Sequence, residues 1–157
     1  MSTPKILIKA ATPADAQDLA RLNAAFNGGS DPAERLAERL ADPASVEQVL
    51  LAEVDGLVVG FAALRIVPCV LYADPHGELT ELFVEQAYRR LGVGRELLSC
   101  AEKIARERDV RELVILTDET NHVSRSFYAA MGYESGEVAF SKGLSGSQAD
   151  LKPGRNI

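Results

Sequence analysis

Between residues 88 and 95 the chain reads Tyr-Arg-Arg-Leu-Gly-Val-Gly-Arg, setting Arg89, Arg90 and Arg95 around Gly92 and Gly94. An apolar run, Leu82-Phe83-Val84, precedes this stretch, and an amphipathic segment follows it. A turn of this kind at a helix N-terminus leaves several backbone N–H groups unpaired and pointing the same way. With the helix dipole behind them, such groups hold anions. The glycines remove the side chains that would keep a phosphate off the backbone, and the arginines add charge for a di- or polyphosphate. The stretch is not a P-loop, which ends in Gly-Lys-Ser/Thr, because the chain continues Gly94-Arg95-Glu96. Nor is it a dinucleotide fingerprint, because the third small position holds Leu97.

Groups able to move protons lie on either side of this turn. Asp74, His76, Glu78 and Glu81 precede it, and Tyr128 follows. A histidine has the right intrinsic pKa for proton transfer near neutrality. Cys69 and Cys100 are the only cysteines. They make neither a disulfide framework nor a four-ligand zinc site, so a reducing, cytoplasmic location is expected. Cys69 has no neighbouring His or Asn signature of a nucleophile, and Cys100 falls on the packed side of a helix. No His/Cys/Asp cluster has metal-ligand spacing, and no metal is expected.

The elements that must carry these groups follow from pattern and punctuation. Ile6-Leu7-Ile8 reads as a strand. Thr12-Pro13-Ala14-Asp15 opens a helix with an N-cap, a proline at the first position and a capping-box acid. Leu19, Leu22 and Phe26 form its apolar stripe, and Asn27 to Ser30 end it. Asp31-Pro32-Ala33-Glu34 starts a second, short helix with Leu36 and Leu40 on one side. Residues 46–54 and 57–67 are β-rich runs joined by Asp55-Gly56, a strong hairpin signal because both positions tolerate φ > 0. Residues 68–77 read as an irregular loop and 78–84 as another strand. A helix of about fifteen residues then carries Val93, Leu97, Leu98, Ala101, Ile104 and Ala105 on one face. Residues 113–116 form a short strand whose continuous apolar character is that of one covered on both faces. A helix spans about 121–131 with Gly132 past its end. Glu137 to Lys142 reads as a closing strand, and residues 145–157 as a polar tail. Strand–helix–strand over 78–116 implies a parallel crossover, the hairpin implies antiparallel strands, and the class is mixed α/β in one domain over residues 1–144.

The spacing Arg-x-x-Gly-x-Gly after Leu82-Phe83-Val84 resembles the pyrophosphate-binding motif of the GNAT superfamily of acyl-CoA-dependent N-acetyltransferases. Asn121 to Glu134, with Phe127-Tyr128 near the helix end and Gly132-Tyr133 after it, is similar to the second signature of that family. The resemblance covers roughly residues 5 to 144 and includes the order of elements. It implies a mainly antiparallel mixed sheet, flanked by helices and splayed at a central parallel strand pair that receives acetyl-CoA. By resemblance, the backbone of Leu82, Phe83 and Val84 meets the pantetheine, and Arg89, Arg90, Leu91, Gly92, Val93, Gly94 and Arg95 hold the pyrophosphate. Phe127 joins the cofactor-binding set, and Asn121 either contacts the pantetheine or caps its helix. The resemblance makes Tyr128 the proton donor to the departing sulfur, which a phenol with pKa ≈ 10 can be without ionising at neutral pH. It makes Glu78 the base, six residues before Val84, with Glu81 as the second candidate. In a regular strand those two face opposite sides, whereas a bulge would change that parity. Asp74, His76 and Glu78 are the candidate substrate-binding residues.

The chain has 157 residues, 46% of them hydrophobic and 25% charged, which is ordinary globular composition and excludes wholesale disorder. No apolar run approaches the ~20 residues of a membrane span, and the apolar stretch near the N-terminus is too short for a signal peptide. The net charge of −6 argues against nucleic acid as a partner. That charge is uneven: residues 31–55 carry seven acids and two bases, while 88–111 carry seven bases and four acids. The resemblance places the first of these segments, around the first two helices, on the wall of the acceptor cleft and the second around the CoA. An acidic acceptor side attracts a cationic amine, and relatives of this size acetylate aminoglycosides and polyamine-like molecules, so the resemblance implies an aminoglycoside antibiotic as substrate, with polyamine-like amines next. The alternatives are acetylation of peptides or proteins and a non-catalytic acyl-CoA-binding regulatory module. A homodimer through an edge strand near the C-terminus is a further expectation.

Overall fold

A computed structural model describes residues 4–29, 31–136 and 138–144. Its chain divides into two compact units, Met1–Val114 and Ile115–Ile157. In the first unit β1 (Ile6–Ala10) leads through a 3-10 turn, Pro13–Asp15, into α1 (Ala16–Asn27) and α2 (Ala33–Ala41). The capping acid does what its position promises, since the Asp15 carboxylate accepts from the Thr12 N–H at 2.9 Å. Gly28 ends α1 at φ 66, the left-handed conformation that a helix-terminating glycine supplies without strain.

β2 (Glu47–Val54), β3 (Leu57–Val67) and β4 (His76–Val84) follow, then α3 (Val93–Glu107) and β5 (Leu113–Ile115). The sheet order is β1-β2-β3-β4-β5. The first four strands pair antiparallel, and β5 lies parallel to β4. Asp55 and Gly56 make the hairpin with φ values of 50 and 84.

Two places break the ladder. Ala52 faces Gly60 and Glu53 faces Val58, so Val59 is an extra residue in β3. Ala63 faces Glu81 and Leu64 faces Leu79, so Thr80 is an extra residue in β4. Residues directly opposite one another in an antiparallel pair share a face. Phe61 and Phe83 are opposite partners and meet Phe26 of α1, with ring centroids 5.1–6.1 Å apart across the trio. Leu19, Leu22, Leu51 and Val58 belong to the same cluster, with Leu36 and Leu40 of α2 packed against it. The amphipathic α3 packs across β1 to β4 and buries Val93, Leu97, Leu98, Ala101 and Ala105. Helix layers with a sheet between them are how an α/β domain covers two apolar faces.

Some expectations need correction. β4 starts at His76, inside the expected loop; Gly77 there packs so close to Val110 that a Cβ would lie 2.6 Å from its side chain. β5 is half-buried along its length, and Leu116, expected within it, lies beyond its end. Cys100 is half-buried rather than core.

In the second unit α4 (His122–Ala130) is the helix. Asn121 caps it, its Oδ1 accepting from the Ser124 N–H at 3.1 Å. Gly132, at φ 91, turns the chain out of it, and the Tyr133 N–H closes back on the Tyr128 carbonyl at 3.0 Å. The expected closing strand is not formed by residues 138–142, where Val138 and Phe140 are exposed. Glu137, the first residue of that expectation, lies outside the described residues, as does the expected tail 145–157.

Candidate active site

β4 delivers the chain into a tight connection: a 3-10 turn, Gln86–Tyr88, then Arg89 to Gly92 before α3. Arg90 and Gly92 both take positive φ, 67 and 90. The first N–H of α3 with a helical partner is that of Glu96, donating to the Gly92 carbonyl at 3.0 Å. The N–H groups of Val93, Gly94 and Arg95 therefore have no partner within the helix and stand at its positive end. The position a Cβ would take on Gly92 has nothing within 4 Å. Open space, three helix N–H groups and nearby Arg90 and Arg95 fit a diphosphate. Arg89 behaves differently. Its Nε donates to the Val84 carbonyl at 2.9 Å and its guanidinium stacks over the Phe83 ring at 5.9 Å, so it folds back on β4.

β4 itself carries the carboxylates. Glu78 is paired across the sheet with Arg65 and Glu81 with Ala63. Arg65 and Ala63 alternate along β3 and share a face, so Glu78 and Glu81 share one too. The parity of a regular strand is overturned by the extra Thr80. Glu47 of β2 lies opposite Arg65 and so joins the same face. Arg65 stands between two acids, 3.6 Å from Glu47 and 3.8 Å from Glu78. The Thr80 hydroxyl, 1% exposed, reaches both the Glu47 carboxylate and the Ala63 carbonyl, the latter at 3.3 Å.

Arg65, Glu47 and Thr80 were missed as site residues in the sequence. Counting back from Asp55-Gly56 in a regular hairpin puts Leu64 opposite Glu47; the bulge at Val59 replaces it with Arg65. Asp74 does not join this group. Its carboxylate pairs with Arg111 at 3.1 Å, beside a groove of about 470 Å³ that Arg106, Asp109 and Val110 also line. His76 is exposed at the start of β4.

In the second unit Tyr128 is 6% exposed. Phe127 and Tyr133 meet its ring edge-to-face, at 5.2 and 5.8 Å between centroids. Burial first, and Tyr133 second, push its phenol well above its ordinary value. The group stays protonated throughout the physiological range, as a proton donor must. In the first unit burial also raises the Cys100 thiol, leaving it a poor nucleophile. Among the described residues no His/Cys/Asp/Glu group could hold a metal ion, and no helix is long and apolar enough to cross a membrane.

Comparison with known proteins adds three kinds of likeness. The family model described as acetyltransferase (GNAT) family matches residues 16–133. An aminoglycoside N(6')-acetyltransferase type 1 of Stenotrophomonas maltophilia is 32% identical over 134 residues, 83% of this chain and 87% of that one. A protein of the same name from Klebsiella aerogenes is 36% identical over 106 residues, 66% of this chain and 68% of that one. Among solved structures, an aminoglycoside acetyltransferase from an uncultured soil metagenomic sample, in complex with sisomicin, superposes with a TM-score of 0.76. It is 19% identical, with 89% of this chain and 97% of that one covered.

Proposed function

The chain belongs to the GNAT acetyltransferase family and is an acetyl-CoA-dependent N-acetyltransferase, and from that premise we propose that its acceptor is a primary amine of a small polycationic molecule, with an aminoglycoside the leading candidate. The observation that carries this reading is the shared face of Glu47, Glu78 and Glu81, with Arg65 between the first two. Carboxylates gathered on one face attract an ammonium group and can take its proton. The aminoglycoside acetyltransferases among the relatives support the choice of substrate class.

Acetyl-CoA supplies the acetyl group as a thioester. In this reading the N–H groups of Val93, Gly94 and Arg95, with Arg90 and Arg95, hold its pyrophosphate, and the backbone of Leu82 to Val84 lines its pantetheine. Glu78 takes a proton from the substrate ammonium, with Glu81 the second candidate. The freed amine nitrogen bonds to the acetyl carbon as the carbon–sulfur bond breaks. Tyr128 Oη gives the departing sulfur its proton; the second proton shed by the acylated nitrogen passes through water to the phenolate, and Glu78 releases the first to solvent. Transfer is direct, with no acetyl group resting on a cysteine.

Acetyl-CoA turnover measured across sisomicin, spermidine, a basic peptide and neutral or anionic amines tests the reading. Turnover of sisomicin or spermidine is expected. Activity confined to neutral or anionic acceptors overturns it, and turnover of the peptide alone replaces it with peptide acetylation.

A further inference from the structure

Thr80 is the one buried polar side chain among the described residues of the core, and it occupies the bulge that reverses the parity of β4. Its hydroxyl carries a single proton and lies within reach of two acceptors, the Ala63 carbonyl and the Glu47 carboxylate. The Glu47 carboxylate is the nearer of the two, so the hydroxyl donates to Glu47, two strands away. We propose that Thr80 is the positioning residue of the acceptor-side acids: its hydroxyl ties the β4 bulge to Glu47, and so holds Glu47, Glu78 and Glu81 toward one face. The inference rests on the acceptor reading given above and adds to it the residue that builds the acid face.

The argument is geometric. A strand residue added without an anchor can be relieved by a slip of register, which would send Glu81 to the opposite face. Thr80 has a fixed partner on a different strand, and Arg65 links that same partner to Glu78. The four side chains thus bridge β2, β3 and β4 at one level. Loss of the hydroxyl leaves the Glu47 carboxylate to Arg65 and removes the side-chain tie from the bulge to β2.

Thr80→Val removes the hydroxyl at nearly constant shape, and Thr80→Ser restores it. With acetyl-CoA and sisomicin, Thr80→Val is expected to raise KM for the amine by about tenfold, the worth of one hydrogen bond to a charged group. KM for acetyl-CoA and the calorimetric Kd for CoA stay within about twofold, and Thr80→Ser stays near wild type. An unchanged amine KM in Thr80→Val, or a Ser variant as impaired as the Val variant, overturns the proposal. Should Thr80→Val fail to fold, Glu47→Gln carries the test: a selective rise in amine KM supports it and an unchanged one overturns it. If the wild type acetylates no amine, that failure belongs to the acceptor reading. Positioning is then decided by carbon-13 NMR of glutamate-labelled protein, where Glu47→Gln either displaces the Glu78 and Glu81 carboxyl resonances or, by leaving them in place, refutes it.

Discussion

Glu78 and Glu81 face the same side of the sheet although three positions separate them, because Thr80 is inserted between their cross-strand partners Arg65 and Ala63. On the acceptor reading proposed above, these two acids share the work of binding and deprotonating the amine. Glu78→Gln is expected to lower kcat/KM for the amine by about a hundredfold. Glu81→Gln should cost less. The two variants, measured side by side, decide which acid is the base, and a larger loss of kcat in Glu81→Gln reverses the assignment.

Tyr128 is expected to act on the chemical step alone. Tyr128→Phe should reduce kcat by about a hundredfold or more while calorimetry shows CoA affinity unchanged. Because burial raises the phenol, its protonated form persists in the fold at pH values where an unfolded tyrosine ionises. Its contribution to stability is complete below about pH 10 and is lost as pH rises through the folded value. The kcat profile should therefore show no alkaline fall from Tyr128 below about pH 10. A fall that appears there and vanishes in Tyr128→Phe would contradict this.

Gly92 sits at φ 90 with open space where a side chain would begin. Gly92→Ala should strain the backbone by about 1–2 kcal/mol and put a methyl group where the diphosphate approaches. KM for acetyl-CoA is expected to rise while KM for the amine stays level. An equal rise in both would point to general damage instead.

Asp15 closes the capping box at Thr12 and pairs with Lys9 at 3.1 Å. The Thr12 backbone hydrogen bond, opposed by burial and aided by Lys9, holds its carboxyl below the ordinary 3.8. Stability from a depressed carboxylate is present above the unfolded value and is lost as pH falls through the folded one. Asp15→Asn should cost about 1 kcal/mol near pH 7 in denaturant titrations, and the deficit should shrink as pH falls below the ordinary 3.8.

Much of this architecture is local and therefore readable. Asp55-Gly56, Thr12 to Asp15 and Gly132 each demand one backbone conformation, and each takes it. The arginine–glycine turn is equally local, since its N–H groups are freed by the helix that begins there. The bulges at Val59 and Thr80 are not local. Each depends on what lies across the ladder, so Glu47 and Arg65 meet through pairings that no short window of sequence contains. The alternation Val138-Ala139-Phe140 misleads for the same reason. A strand needs a partner as well as a pattern, and residues 138–142 have taken none.

The trio Phe26, Phe61 and Phe83 joins α1 to the strand whose backbone is assigned to the pantetheine. Drift in the helix is therefore not independent of drift in the strand. A lineage that reshapes α1 must keep those rings or exchange them together, since interiors this dense tolerate changes of volume poorly. Substitutions at positions 26, 61 and 83 should therefore covary among descendants.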